Sequence, residues 1–161
     1  MIKKVKILKK IFISKFRLSL PKKKDLIVFD DVTKYVLEFI ISDYKYFILQ
    51  TRFENVNIFY INPIILFKTV INYKNNFWTA YLISLIQIVS PKVVITYIDN
   101  SMKFYDIANT MHKKIKFCAI QGGARYQLKH SKFLFENGFK KEDENSEIYI
   151  PNFFCFGKFE S

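Results

Sequence analysis

Short apolar runs alternate with longer segments of helical periodicity along most of this chain. The runs that predict strands are residues 24–29, 46–51, 56–61, 92–98, 115–121 and 148–157. The segments that predict helices are residues 32–42, 64–72, 77–89 and 101–111, with a less regular one at 127–136. Strands that alternate with helices are typical of a parallel sheet covered on both faces. The pattern therefore predicts one α/β domain over residues 24–161, with an open, mainly parallel sheet of about six strands and helices on both faces.

Residues with strong positional preferences mark where the predicted helices begin and end. Asp31 is a candidate N-cap for the first of them. The apolar positions that share one face of that helix are Val32, Tyr35, Val36, Phe39 and Ile40. Pro63 suits the first turn of the next helix, and Ser90 with Pro91 ends the third.

Polar residues follow three of the predicted strands. Asp30 follows the first strand, Asp99 and Asn100 follow the fourth, and the run Gln121-Gly122-Gly123-Ala124-Arg125 follows the fifth. In the Rossmann-like strand order 3-2-1-4-5-6, the first and fourth strands are neighbours, and ligands bind where their carboxyl ends meet. We therefore expect these polar residues to line one cleft.

Asp99 and Asn100 suit the binding of a hydroxylated ligand. The Asp99 carboxylate can accept a hydrogen bond from a sugar hydroxyl or act as a base, and Asn100 can orient the same ligand. A structural interpretation is also open, because Asn100 or Ser101 can cap the helix that follows. The two roles are compatible, so Asp99 is the candidate catalytic residue and Asn100 a candidate binding residue.

The glycine pair after the fifth strand indicates a close approach between the backbone and a ligand. Gly122 and Gly123 lack a Cβ, so their N–H groups are accessible to an anion or a sugar. Gln121 can bind hydroxyl groups, and Arg125 can pair with a phosphate or carboxylate. The alternative is a tight turn after the strand with a surface arginine.

Several familiar motifs are missing from the sequence. It contains no Walker sequence, no GxGxxG after the first strand, and no HExxH, GxSxG or CxxC. These absences argue against P-loop NTPases, ordinary dinucleotide oxidoreductases, metalloproteases and the common hydrolases. His112 and His130 are isolated, and we predict neither a metal ion nor a cofactor.

The amino-terminal segment carries a large share of the positive charge, which totals +12 at pH 7. Residues 1–24 contain ten Lys or Arg residues and no acid, and apolar residues recur at helical spacing over residues 2–17. We therefore predict that residues 1–23 form a basic amphipathic helix that binds an anionic membrane surface. The alternatives are a helix packed on the domain with a solvated basic face, and a composition bias toward lysine. We expect a cytoplasmic protein, peripheral at the inner membrane face where this helix binds, and no nucleic-acid partner.

Four segments, in this order, resemble the amino-terminal half of bacterial surface carbohydrate biosynthesis proteins. The segments are LIVFDD, SPKVVITYIDNSMKFYDIA, IKFCAIQGGAR and PNFFCFGKF, between residues 26 and 159. This family is glycosyltransferase-like and distantly similar to CDP-glycerol glycerophosphotransferases and other two-domain GT-B transferases. One departure concerns Gly122, because such proteins more often have Gln-Asn-Gly or His-Gly at that place, and any role of the asparagine side chain is lost here.

The resemblance implies the acceptor-side domain of a GT-B glycosyltransferase in surface polysaccharide biosynthesis. A second domain would hold the nucleotide-sugar donor, so the chain alone is expected to be inactive. The implied partners are a nucleotide sugar and a lipid-linked or saccharide acceptor. Asp99 would act as the base. The substrate-binding residues would be Asp30, Asn100, Gln121, Gly122, Gly123 and Arg125.

Two other functions stay open from the sequence. The first is a non-enzymatic, basic Rossmann-like module that docks on a membrane or a partner protein. The second, less favoured, is a nucleic-acid binder, although most aromatic residues lie within apolar runs that suit a core.

Overall fold

Seven parallel-paired strands make up the two sheets of the described part of the chain. The computed structural model of the protein describes residues 14–74, 76–99, 101–122 and 152–154. Its strands are β1 (Lys15–Arg17), β2 (Leu26–Phe29), β3 (Tyr46–Leu49), β4 (Ile58–Tyr60), β5 (Val93–Thr96), β6 (Lys116–Ile120) and β7 (Asn152–Phe154). Five of them form a parallel sheet in the order β3-β2-β5-β6-β7, and β1 pairs with β4 in a second, two-stranded sheet. The predicted open α/β fold with a mainly parallel sheet is confirmed.

The order of the main sheet follows the predicted arrangement except at one strand. β2 pairs with both β3 and β5, so the first and fourth predicted strands are neighbours, as expected. The third predicted strand, β4, is not in this sheet, which therefore has five strands rather than six.

Hydrogen bonds explain why β4 leaves the main sheet. On one side, Lys15 N–H donates to the Asn57 carbonyl, and Ile61 N–H donates to the Arg17 carbonyl, both at 2.9 Å. On the other side, the Tyr81 hydroxyl accepts from Tyr60 N–H at 2.9 Å and donates to the carbonyl of the same residue at 3.2 Å. The backbone of β4 thereby finds partners without pairing with β3.

Four α-helices connect the strands close to the predicted places, and a short 3-10 helix (Phe53–Asn55) lies between β3 and β4. The α-helices are α1 (Asp31–Ile41), α2 (Pro63–Asn72), α3 (Phe77–Val89) and α4 (Met102–Met111). Ser101 caps α4, as one of the two predicted alternatives. The predicted cap of α1 was wrong by one residue: the Oδ1 atom of Asp30, not Asp31, accepts from Val32 N–H at 3.2 Å.

The two faces of the main sheet are packed by different helices. Residues of α2, α3 and α4 form one core cluster with Ile27 and Phe29 of β2. Within it, the ring of Phe104 makes edge contacts with Phe29 and Phe117, at centroid distances of 5.1 and 5.6 Å. On the opposite face, Leu37 and Ile41 of α1 pack with Val28 and the partly buried side chains around it.

The apolar face that periodicity defines on α1 points away from the sheet. Tyr35 and Phe39 are 73% and 80% exposed, whereas Thr33, Leu37 and Ile41 are buried. Thr33 explains this rotation, because its hydroxyl donates to the Phe29 carbonyl at 2.8 Å and accepts from Tyr97 N–H at 3.1 Å. One polar side chain thereby joins the ends of β2 and β5 and turns the helix around its axis.

The amino-terminal helix prediction is wrong where the structure describes it. Residues Lys15–Arg17 form β1, although the pattern places them at the end of a helix. The rest of that helix, residues 2–13, lies outside the described residues, as do the predicted helix at 127–136 and most of the final apolar run. Among the helices described, none is long and apolar enough to cross a membrane.

Replacing Tyr81 by Phe should lower the free energy of unfolding by about 1 kcal/mol, because the N–H and C=O of Tyr60 lose their shared partner. Burial is also the main cause that raises the pKa of Tyr81 to about 12. The folded state therefore holds this proton more tightly than the unfolded state, and stability is lost as the pH rises from 10 toward 12.

Chemical denaturation of both proteins between pH 8 and 12 tests this expectation. The stability advantage of the wild type over Tyr81→Phe should shrink above pH 10. Tyr44→Phe, a change at an exposed tyrosine, is the control and should leave stability unchanged. A constant difference across this pH range would contradict the assignment.

Candidate functional site

The Asp30 carboxylate lies at the carboxyl end of β2, and both of its oxygens have partners within the protein. Only 1% of Asp30 is exposed. Besides capping α1, it accepts a hydrogen bond from the Thr51 hydroxyl at 2.8 Å and pairs with Arg52 Nε at 3.4 Å. Its backbone has φ 77°, a conformation that residues with a Cβ rarely adopt. Asp30 thus lies at the predicted edge of the sheet, where it positions β3, α1 and Arg52.

Two cations that sequence reasoning missed lie beside Asp30. The Lys103 ammonium group, from the first turn of α4, donates to the Thr51 carbonyl at 3.0 Å, and Trp78 Nε1 donates to the same oxygen at 2.8 Å. Burial lowers the pKa of Lys103, although Glu54 and Asp30 oppose this shift. Arg52 directly follows a predicted strand, so its position in the sequence could have identified it as a site residue. No sequence pattern indicates that Lys103 contacts the Thr51 carbonyl.

Asp99 and Gly122 come together at the ends of β5 and β6. A Cβ placed on Gly122 would lie 3.6 Å from Asp99 Oδ1 and only 2.9 Å from the Tyr97 carbonyl oxygen. The Tyr97 hydroxyl also donates to the Gly122 carbonyl at 2.8 Å. The Asp99 backbone is held by Tyr105, whose hydroxyl donates to the Asp99 carbonyl. The predicted closeness of these two strand ends is therefore present, and glycine is needed because no side chain fits.

The other predicted site residues divide into two groups. The side chain of Gln121 is buried, and its N–H donates to the Phe154 carbonyl at 2.9 Å, so this residue belongs to the interior of the sheet. Asn100, Gly123 and Arg125 lie outside the described residues.

Because β4 does not pair with β3, a cleft lies at the free edge of β3. The sequence did not predict this cleft. The cleft has a volume of about 450 Å³, within the range of small-molecule sites. Its lining combines the polar side chains of Asp31, Gln50 and Asn57 with the rings of Tyr60 and Trp78. Gln50 bridges the cleft at one end, since it donates to Asp31 Oδ2 at 3.4 Å and accepts from Asn57 N–H at 2.9 Å.

The described residues contain no group of three or more His, Cys, Asp or Glu side chains that could hold a metal ion. The groups that the described residues offer for chemistry at the carboxyl edge are the Asp99 carboxylate, the two cations and backbone groups.

No family model, curated protein or solved structure matches this chain. The resemblance to surface carbohydrate biosynthesis proteins stays a prediction that rests on the four sequence segments.

Proposed function

We propose that this domain binds the acceptor substrate of a glycosyltransferase that builds surface polysaccharide. The observation that supports this most is the contact region between Asp99 and Gly122 at the ends of β5 and β6. The region lies beside the strand pair β2–β5, where the direction of strand succession reverses. Open α/β sheets bind ligands at such a point.

The side chains around this region suit an acceptor hydroxyl. Asp99 is half-buried, and its carboxylate can accept the proton that the hydroxyl loses as it attacks the donor sugar and displaces the nucleotide. Gly122 lets the end of β6 lie close to the Asp99 carboxylate, because no Cβ stands between them. Arg52 and Lys103 add positive charge at the same edge of the sheet, which favours an acceptor that carries a phosphate.

The donor nucleotide sugar has no counterpart in these residues. The sequence lacks the glycine-rich phosphate motifs, and the described residues of the site offer one candidate base. In this proposal a second domain supplies the donor, and catalysis requires donor and acceptor to be held together.

Titration of the isotope-labelled chain with glucose 1-phosphate tests acceptor binding. We expect amide shifts near Asp99, Gly122 and Lys103, with a dissociation constant on the order of millimolar. Asp99→Ala should weaken this binding about tenfold, which corresponds to the loss of one hydrogen bond to a charged group. Asp43→Asn, at an exposed turn, is the matched control and should bind as the wild type does. Absence of shifts at these residues, or equal binding by Asp99→Ala, would contradict the proposal.

A transfer assay addresses the donor separately. The purified chain, incubated with radiolabelled UDP-glucose and a lipid-linked acceptor, should form no product. Product formation would mean that donor binding also resides in this chain.

A further inference from the structure

The outer face of α2 is strongly apolar and exposed. Ile65 and Thr69 point inward, where Ile65 joins the core cluster. On the other side, Phe67, Val70 and Ile71 are 67%, 68% and 65% exposed, and Ile64 lies beside them. At 3.6 residues per turn, these four side chains form one stripe opposite the buried side of the helix.

The segment after β1 extends this stripe. The Arg17 carbonyl accepts from Ile61 N–H at 2.9 Å, and the Leu18 carbonyl accepts from the Asn62 side chain at 2.6 Å. These bonds place Leu18, which is exposed, next to the start of α2. We define the α2 surface as five side chains: Leu18, Ile64, Phe67, Val70 and Ile71.

The chain segments that carry the α2 surface hold charge of one sign. Residues 55–98 and residues 1–24 contain no Asp or Glu. Lys68 lies within α2 and Lys74 follows it, and Lys15, Arg17, Lys22 and Lys23 lie close to Leu18 in the chain. Two copies of this surface would bring like charges together, which disfavours a self-association contact.

We propose that the α2 surface docks on an anionic lipid bilayer, with its apolar side chains in the interface and the flanking cations at the headgroups. Interfacial helices combine these two features, and each flanking cation adds to the attraction of an anionic surface. The α2 surface differs from the predicted amino-terminal helix, and this proposal does not depend on the proposed acceptor site.

A pair of matched variants tests the proposal in the full chain. Phe67→Ser with Ile71→Ser changes the α2 surface, and Tyr35→Ser with Phe39→Ser makes an equivalent change on α1, on the opposite face of the main sheet. The α1 face carries Glu38 and is therefore not uniformly basic. All four positions are exposed, so both variants should fold, and circular dichroism checks this.

Binding to vesicles of equal phosphatidylglycerol and phosphatidylcholine is measured by co-sedimentation at about 0.1 M salt, where surface attraction persists over about 10 Å. We expect the α2 variant to bind about tenfold more weakly than the wild type, since two large apolar side chains are lost from the interface. The α1 variant should bind as the wild type does. Vesicles of phosphatidylcholine alone should bind all three proteins weakly.

Three outcomes would overturn the proposal. They are a wild type that does not bind anionic vesicles, equal binding by the wild type and the α2 variant, and equal weakening by both variants. Light scattering tests a fourth outcome that would overturn the proposal. If the wild type is a dimer and only the α2 variant is a monomer, the α2 surface is a contact between two copies of the chain.

Discussion

Replacing Asp30 by Ala should lower the free energy of unfolding by about 3 kcal/mol. The lost N-cap of α1 costs about 1 kcal/mol. The lost hydrogen bond from Thr51 to a buried carboxylate costs about 2 kcal/mol. The ion pair with Arg52 adds little, because more than half of the arginine side chain is exposed to water.

The positive φ of Asp30 gives this prediction an internal control. Asp30→Gly loses the same side-chain bonds but relieves a backbone conformation that costs of order 1–3 kcal/mol for other residues. We therefore expect Asp30→Gly to be roughly 1 kcal/mol more stable than Asp30→Ala, after the greater unfolded-state entropy of glycine is counted. Urea denaturation of both variants measures the difference. A glycine variant less stable than the alanine variant would show that strain at this position is negligible.

Adding a methyl group at Gly122 should disrupt the candidate site more than any other single-carbon change near it. The new Cβ of Gly122→Ala would lie 2.9 Å from the Tyr97 carbonyl oxygen, a backbone atom that cannot rotate away. The strand ends of β5 and β6 must then separate, at a cost of about 1–3 kcal/mol. The same movement displaces the Asp99 carboxylate, so binding of glucose 1-phosphate should be lost together with stability.

Tyr97→Phe separates the effect of crowding from the loss of a hydrogen bond. It removes the bond from the Tyr97 hydroxyl to the Gly122 carbonyl without adding volume, so it should cost about 1 kcal/mol. The Asp99 carboxylate should stay in place, and glucose 1-phosphate should still bind to this variant. The contrary result is a Gly122→Ala variant that unfolds at the same urea concentration as the wild type and binds glucose 1-phosphate equally well. That result would show that the close approach between residue 122 and the Tyr97 carbonyl does not require glycine.

The secondary structure from β2 to β6 was well predicted because it depends on local patterns. Helix α3 begins and ends at the predicted residues, and Pro63 opens α2 as its ring geometry favours. The carboxyl ends of β5 and β6 were also correctly placed as neighbours, since adjacent parallel strands bring their ends to one edge. Asp99 and Gly122 were therefore identified from sequence as adjacent candidates.

The candidate site was less predictable wherever a side chain had a partner distant in sequence. Asp30 was predicted to contact a ligand, yet Thr51 and Arg52 occupy its carboxylate. Lys103 gave no sequence signal, because its partner is the carbonyl of Thr51 on the far side of β2. The cleft beside β3 exists because β4 pairs with β1, and strand pairing across 43 residues has no local pattern.

By itself, the sequence determined the order of strands and helices from β2 to β6, the polar strand ends and the concentration of positive charge. These features follow from periodicity, cap residues and composition, all of which act over a few residues. The tertiary structure alone decided the rotation of α1, through the hydroxyl of Thr33 between Phe29 and Tyr97. It also decided the pairing of β4 and the exposure of the α2 surface. The rotation of α1 and the pairing of β4 depend on which distant group satisfies a buried donor or acceptor, and apolar spacing does not encode that choice.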